Sequence, residues 1–488
     1  MDTIRNLSVT KVRPIKVVQF GEGNFLRAFV DYYISEMNDI NNFNGNIAIV
    51  KSIKEGALDN FIAQNNLYTV LLRGKYKNKI YDEAKIIDNI SVAVDLHTDY
   101  NSYIKLSENP ELKFIVSNTT EAGIVFNSND SINNNYNITY PAKLTKFLYN
   151  RFLKFNGTSE SGLHIIPCEL IDNNATELQK CVDQYIDLWR LPISFRNWNN
   201  NCNYYCNSLV DRIVTGYPKS NKEEIFNRLG YIDELVTIAE PFGLWVIENK
   251  GELDKKLNVS GLDKIIFVND VKDYKTRKVR LLNGAHTSLV PVAYLSGIST
   301  VGEAMASPVM SEYVKKTLFN EIIPTVPLSL SELTEFANAV IERFENPFVM
   351  HMLLSIALNS ISKWRVRVLP SMAEYYNKFK KLPRNIVFSL ACLIKMYGSG
   401  RMNNGVFQCN TYGRNYELKD DLSVLKFFDS LYGVSNEEKA KTVLSNIDFW
   451  GEDLDNYIGL QSTIVEMLDK LDFCKAEEVI DLVKKYNE

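Results

Sequence analysis

Short apolar runs alternate with helix-period segments through the first half of the chain. Lys16-Val-Val-Gln-Phe20 predicts a buried strand, after which Phe25, Ala28, Phe29 and Tyr32 fall at i, i+3, i+4 and i+7, the spacing of one helix face. Strand-type runs recur at 46–50, 68–72, 86–92, 113–117 and 163–167. Strands alternating with helices predict an α/β domain built on a mostly parallel sheet. The segment 127–137, rich in Asn, Ser and Asp, predicts a loop. Beyond about residue 275 little alternates with period two. Ser329 and Glu332 have capping-box spacing ahead of Leu333, Phe336, Ala337, Val340 and Phe344, and that helix should stop before Pro347. Ser435 and Glu438 predict another helix start, and 476–486 a terminal helix. No internal repeat is evident.

A chain of 488 residues exceeds one compact core. The pattern divides it into an α/β domain at 1–274 and a mainly α-helical domain at 275–488. Hydrophobic residues at 45% and charged residues at 23% describe an ordinary globular protein. A formal net charge of −4 argues against nucleic acid as partner, while leaving room for a local basic pocket that takes an acidic substrate. No apolar run reaches the roughly 18 residues of a membrane span, and the first twenty residues lack a signal-peptide core. Seven scattered cysteines suit free thiols in a reducing cytoplasm. Cys202 and Cys206 form the one close pair, with no second pair or histidine to complete a zinc site, so no metal is expected.

The run Gln19-Phe-Gly-Glu-Gly-Asn-Phe-Leu-Arg-Ala28 follows a strand and opens a helix. One glycine permits the tight turn, the second lets the backbone approach a pyrophosphate, and the helix N-terminus offers free N–H groups. Cofactor binding is accordingly assigned to Phe20, Gly21, Gly23, Asn24, Phe25 and Arg27. Leu26 stands where a third glycine is usual, and a purely structural turn is the alternative. The second strand ends Val50-Lys51-Ser52, with no acid before Glu55; Lys51 and Lys54 could accommodate a 2′-phosphate, so the strand end leaves NAD and NADP both open. Thr119, Thr120 and Glu121 follow a strand end where the nicotinamide would lie; the alternative is that either threonine caps a helix.

Lys278, Asn283 and His286 lie within nine residues. On an α-helix they span a sector of about 140°. A buried lysine whose proton affinity is lowered can act as general acid and base, and Asn283 and His286 can both donate to one oxygen. The competing reading treats Lys272, Lys275, Arg277, Lys278 and Arg280 as a solvated basic run, and His286 as a core histidine.

Lys-x4-Asn-x2-His at 278–286 resembles the catalytic signature of the long-chain polyol-specific dehydrogenases, the mannitol dehydrogenase family. Gly-x-Gly-x-Phe-x-Arg-Ala at 21–28 is similar to that family's cofactor turn. Matching wording continues through VSNTTEAGI (116–124), NSLVDRI (207–213), LNGAHTSLVPVA (282–293), TVGEAM (300–305) and LLSIALNSISKWRVRVLPS (353–371), essentially the whole chain.

The resemblance implies that the N-terminal domain is of Rossmann type, and it implies metal-independent hydride transfer between NAD and C2 of a polyol or sugar acid. It makes Lys278 the general acid and base, Asn283 and His286 the holders of the reacting oxygen, and Asp211 a supporting residue, whose alternative role is an ion pair with Arg212. One departure favours a sugar-acid branch. Polyol-type members carry Asn after Cys-Asp, but here Cys168-Glu169 is followed by Leu170; either Asn173 or Asn174 takes over, or the oxygen has fewer donors. A substrate carboxylate needs a cation, for which Lys363 and Arg365 are the candidates, against a basic surface strip. The rival outside enzymology is a protein that senses NAD or a sugar acid without turnover.

Overall fold

The computed structural model describes residues 1–54, 58–120 and 122–487. Glu55 and Glu121 therefore lie outside the described residues. The chain forms two compact units, one of Met1–Arg73 and Ile80–Lys272, the other of Gly74–Lys79 and Asp273–Glu488.

In the first unit, β1 (Ile15–Phe20), β2 (Asn46–Lys51), β5 (Ile90–Asp95), β6 (Phe114–Ser117), β7 (His164–Pro167) and β8 (Tyr204–Tyr205) form a six-stranded sheet in the order β5-β2-β1-β6-β7-β8. Its pairings are parallel. Alternate side chains enter two different cores. Val17, Ile47, Ile49, Phe114 and Val116 join one; Val18, Phe20, Ala48, Val50 and Ile115 join the other. A sheet covered on both faces explains why these strands read as continuous apolar runs rather than as alternations. The helices Tyr140–Lys154 and Asn174–Leu188 supply the second core.

The expected strand at 86–92 is two strands in two sheets. β3 (Tyr68–Tyr76) and β4 (Lys79–Ile87) belong to a four-stranded sheet with β10 (Val214–Gly216) and β11 (Thr237–Ala239), while β5 starts at Ile90 in the main sheet. The break has a polar cause. Asp88 pairs with Lys11 at 3.0 Å and Arg13 at 3.4 Å, and buried Asn89 donates to the Asp31 carbonyl at 3.0 Å. A third sheet joins β9 (Ser208–Asp211), β12 (Leu244–Glu248) and β13 (Ile265–Val268).

The second unit is mainly helical. In its Arg384–Gly398 helix the residues 385–394 are buried on every side, as their mostly apolar composition requires. Ser329 caps Leu330–Phe344 and Ser435 caps Asn436–Leu444 through their side-chain oxygens, and Ala476–Asn487 ends the described chain. One element was not anticipated: an antiparallel sheet of β14 (Gly400–Asn403), β15 (Val406–Thr411) and β16 (Arg414–Glu417). Its turns are Asn404-Gly405 and Tyr412-Gly413, all four residues at positive φ, which is the two-residue hairpin geometry that matches strand twist. Phe407, Cys409 and Thr411 of β15 are buried in strict alternation.

Candidate active site

In the first unit β1 ends at Phe20, and Gly21 turns the chain with φ at +122°, a conformation that side chains rarely adopt. A Cβ on Gly21 would also approach the Asn118 carbonyl oxygen at 3.3 Å. Gly23 is the N-cap of the helix that follows, and a Cβ there would meet nothing within 4 Å. The turn therefore leaves open space above a helix N-terminus, the cradle a dinucleotide pyrophosphate needs. Leu26, in place of the third glycine, is buried in the core.

The neighbouring assigned residues divide into those near this cradle and those that hold it from behind. The Phe20 side chain packs with Tyr103, Tyr140 and Phe147 in the core beneath the sheet. Phe25 stacks on Phe29, ring centres 5.0 Å apart. Arg27 is buried: it donates to the Leu235 carbonyl and to Asn24 Oδ1, and lies over the rings of Phe61 and Tyr68. Its guanidinium thus braces the turn, and Asn24 is held by Arg27 and by Thr237 Oγ1.

At the end of β2, Lys51 is not a ready partner for a phosphate. Its ammonium is buried and donates to the carbonyls of Ile53 and Lys54 and to Asp95 Oδ2, at 2.9, 3.2 and 3.0 Å. Glu22, on the glycine turn, feels both Lys51 and Asp95, and burial raises its carboxyl above the ordinary range. The strand end thus carries two carboxylates and one satisfied ammonium.

After β6, Thr119 donates to Glu169 Oε1 through both its N–H and its hydroxyl, at 2.9 and 3.0 Å, while Ser117 donates to Oε2 at 3.0 Å. Neither Thr119 nor Thr120 caps a helix, because turns follow and the next helix starts at Tyr140. Buried Glu169, two residues beyond β7, is the fixing group that sequence reasoning missed. Leu170 is exposed at 60%. Asn174 cannot replace the family asparagine: its amide donates to the carbonyls of Pro167, Glu169 and Ser208, and its oxygen accepts from two backbone N–H groups. Asn173 is the N-cap of the Asn174–Leu188 helix, in left-handed conformation. Asp211 ends β9 and is buried. The guanidinium of Arg212 is directed to the carbonyls of Ala28 and Phe242, at 2.6 and 3.0 Å.

A helix runs without interruption from Lys272 to Leu295, but Lys278–Gly284, in the second unit, is a π segment. This corrects the 140° sector expected of an α-helix. Bonding from i to i+5 brings residues five apart above one another, so Lys278 and Asn283 share a face. Nor is the basic run solvated throughout: Lys272 is exposed, but the basic residues after it are not. Arg277 is buried over the rings of Tyr274 and Phe336, at 4.7 and 4.5 Å; Arg280 donates to Ser371 Oγ at 3.0 Å; Lys278 is half-buried.

His286 stacks on Phe344 with ring centres 3.9 Å apart and planes 6° apart, and meets His351 edge-on at 5.2 Å. Burial first, then the charges of His351, Arg343 and Arg367, hold its imidazole well below the usual proton affinity of histidine. It is therefore neutral near pH 7 and carries one N–H to donate. Gly284 lets the Ser360–Arg367 helix come close: a Cβ there would sit 2.8 Å from the Arg367 carbonyl oxygen. Arg367 and Lys363 lie one turn apart on that helix, and each loses proton affinity chiefly through burial. The Lys363 ammonium donates to the Ile356 carbonyl at 2.9 Å. Arg365 points elsewhere, towards the Asp448 carbonyl and Gly451. Of the predicted pair, then, Lys363 neighbours Arg367 and Arg365 does not. Arg343 and His351 were missed because they come from separate segments; Arg367 belongs to the run that supplied Lys363 and Arg365 and was passed over there.

Cys206 is buried in the first core, and all seven cysteines are free. Among the described residues no helix is long and apolar enough to cross a membrane.

Two family profiles match the chain: the mannitol dehydrogenase Rossmann domain over residues 15–261 and the mannitol dehydrogenase C-terminal domain over 270–472. The chain is 40% identical over 466 residues to a protein of Enterobacter sp. (strain 638) named altronate oxidoreductase, covering 94% of each. A protein of Shigella flexneri with the same name is 39% identical over 469 residues, again covering 94% of each. Among solved structures the fold is similar to a D-sorbitol dehydrogenase in substrate-free form, with TM-score 0.80, 21% identity, and 98% and 100% of the two chains covered. It is also similar to Pseudomonas fluorescens mannitol 2-dehydrogenase in ternary complex with NAD and D-mannitol, with TM-score 0.65, 19% identity, and 97% and 95% covered. The altronate oxidoreductase relatives set aside the non-catalytic sensor: the protein is an oxidoreductase acting on CH–OH groups, with a Rossmann domain. The chain belongs to the mannitol dehydrogenase family.

Proposed function

We propose that the protein interconverts D-tagaturonate and D-altronate with NAD as cofactor, as a tagaturonate reductase. The observation that carries a sugar acid over a neutral polyol is the cationic surround of His286, where Arg343 and Arg367 both act on the ring. A uronate brings a carboxylate that such guanidinium groups can take in a bidentate grip. The names of the Enterobacter and Shigella relatives support the same substrate.

Gly21 and Gly23 would hold the pyrophosphate, and Thr119 and Thr120 would border the nicotinamide. Bound NADH supplies the hydride to C2. Lys278 donates its proton to the C2 oxygen during reduction and takes it back during oxidation. Asn283 and neutral His286 donate hydrogen bonds to that oxygen and stabilise its developing charge. Lys363 and Arg367 receive the carboxylate; Asp211 supports the site. NAD rather than NADP is favoured because Asp95 and Glu22 would repel a 2′-phosphate while Lys51 is already satisfied.

The test is a panel of D-tagaturonate, D-fructuronate and D-fructose, each with NADH and with NADPH, read as loss of reduced-cofactor absorbance. Fastest turnover with tagaturonate and NADH is expected. Preference for fructuronate would move the assignment to a fructuronate reductase, and preference for fructose to a mannitol-type enzyme.

A further inference from the structure

The first unit has a cavity at the wrong edge of the sheet for the cofactor. Lys16, Phe114, His164 and Tyr204 line it, and they stand at or beside the starts of β1, β6, β7 and β8. Because these strands are parallel, the cavity opens at their N-terminal edge. The Gly21 turn is at the C-terminal edge, five residues from Lys16 and so about 17 Å along β1. The volume is about 580 Å³, within the range of small-molecule sites.

Its lining combines charge with flat apolar surface. Lys16, Lys113 and Lys256 face Glu111 and Glu160, which leaves the cavity one positive charge in excess. Among the described residues none of the three lysines has a carboxylate within ion-pair distance. Lys16 donates to the Phe43 carbonyl at 2.7 Å and sits 5.1 Å from the centre of the Phe43 ring. Lys113 reaches only the Pro110 carbonyl, at 3.5 Å. Lys256 lies 5.5 Å from the centre of the Tyr204 ring. That ring stacks on His164, centres 4.9 Å apart and planes at 22°. Burial first and the Lys256 charge second lower the His164 imidazole to about 4, so it adds no charge at neutral pH.

We propose that this cavity is a second ligand site, taking a small anion that carries a planar ring. The anionic group would meet Lys113 and Lys256, and the ring would lie against Phe43 and Tyr204. A phosphate and a carboxylate share this chemistry, so the test carries one of each.

The full-length protein would be titrated calorimetrically with salicylate, with AMP and with inorganic phosphate, in excess NAD and NADP so that the cofactor turn is filled. At least one ringed anion should bind one equivalent, about tenfold or more tighter than phosphate. The Lys113→Glu/Lys256→Glu variant should bind it about tenfold or more weaker while retaining turnover, since tenfold corresponds to about 1.4 kcal/mol and two exposed charges are reversed. Cys202 lines the same cavity and is only partly buried. On unmodified protein the bound anion should therefore slow alkylation of Cys202 by iodoacetamide, read by peptide mass spectrometry, which gives an answer even where the double variant fails to fold. Binding of AMP alone would mark a phosphate ligand and binding of salicylate alone a carboxylate. The proposal is overturned when neither ringed anion binds, when phosphate binds as tightly, when charge reversal changes nothing in a folded variant, or when Cys202 is not protected.

Discussion

Replacing Gly284 with alanine adds one methyl group where two helices touch. Its Cβ would sit 2.8 Å from the Arg367 carbonyl oxygen and 3.5 Å from that of Val279. Ordinary contact begins near 3.4 Å, so the Ser360–Arg367 helix must retreat by about 0.6 Å (3.4 less 2.8). Backbone on both sides leaves no flexible side chain to yield. Overpacking of this kind costs about 1–3 kcal/mol, and the helix-favouring change from glycine returns about 1 kcal/mol, for a net loss of about 0–2 kcal/mol. The effect on turnover should be larger in proportion. The displaced contact lies between Asn283 and His286 on one side and Arg367 on the other, and misplacement of about 1 Å can cost about a hundredfold in rate. About a tenfold or greater fall in kcat is expected. Gly302, in the Val301–Ala306 helix, has nothing within 4 Å of an added Cβ and supplies the control. Gly302→Ala should gain about 0.4–1 kcal/mol and keep its rate. Urea denaturation and steady-state kinetics on both variants decide the matter. Gly284→Ala behaving like Gly302→Ala in both assays would refute the close-packing argument.

Arg367→Met should raise KM for D-tagaturonate about tenfold or more and change KM for a neutral ketose much less; equal effects on both would deny it a carboxylate-binding role. His286→Gln should lower kcat but leave the pH profile near neutrality unchanged in shape, because the imidazole is already uncharged there. Disappearance of a titration near neutral pH in the variant would contradict that. Asp31 is fully enclosed, and burial raises its carboxyl to about 7 although Tyr68 donates to it. A carboxyl raised on folding contributes its stability fully below the unfolded value of about 4 and loses it as pH climbs through about 7. Asp31→Asn should therefore gain in Tm relative to the native protein as pH rises across that window; a constant difference between the two would refute the assignment.

The alternation of apolar runs with helical periods in the first half was readable because a two-faced sheet needs continuous apolar strands. It misled at 86–92, where the sequence carries no sign that Asp88 and Asn89 move the chain from one sheet to another. The β14–β16 hairpins were readable in principle. Asn404-Gly405 and Tyr412-Gly413 flank an alternating run, yet the helical texture around them hid it. Lys278, Asn283 and His286 could be picked out as a candidate site because they are close in sequence and resemble a family signature. The π segment that aligns Lys278 with Asn283 was not, since no local composition marks a wider helix. Arg343, His351 and Arg367 surround His286 only after three separate segments have packed. Arg365, two residues from Arg367, shows how little proximity in sequence says about which helix face a cation occupies.

The most direct test of the account is a single-turnover comparison of the native protein with Lys278→Ala, using D-tagaturonate and pre-bound NADH. Loss of a general acid predicts a fall of about a hundredfold to ten-thousandfold in the rate of NADH oxidation, with the affinity for NADH unchanged. A variant that keeps most of its rate would show that Lys278 does not deliver the proton, and the assignment of this helix as the catalytic element would be wrong.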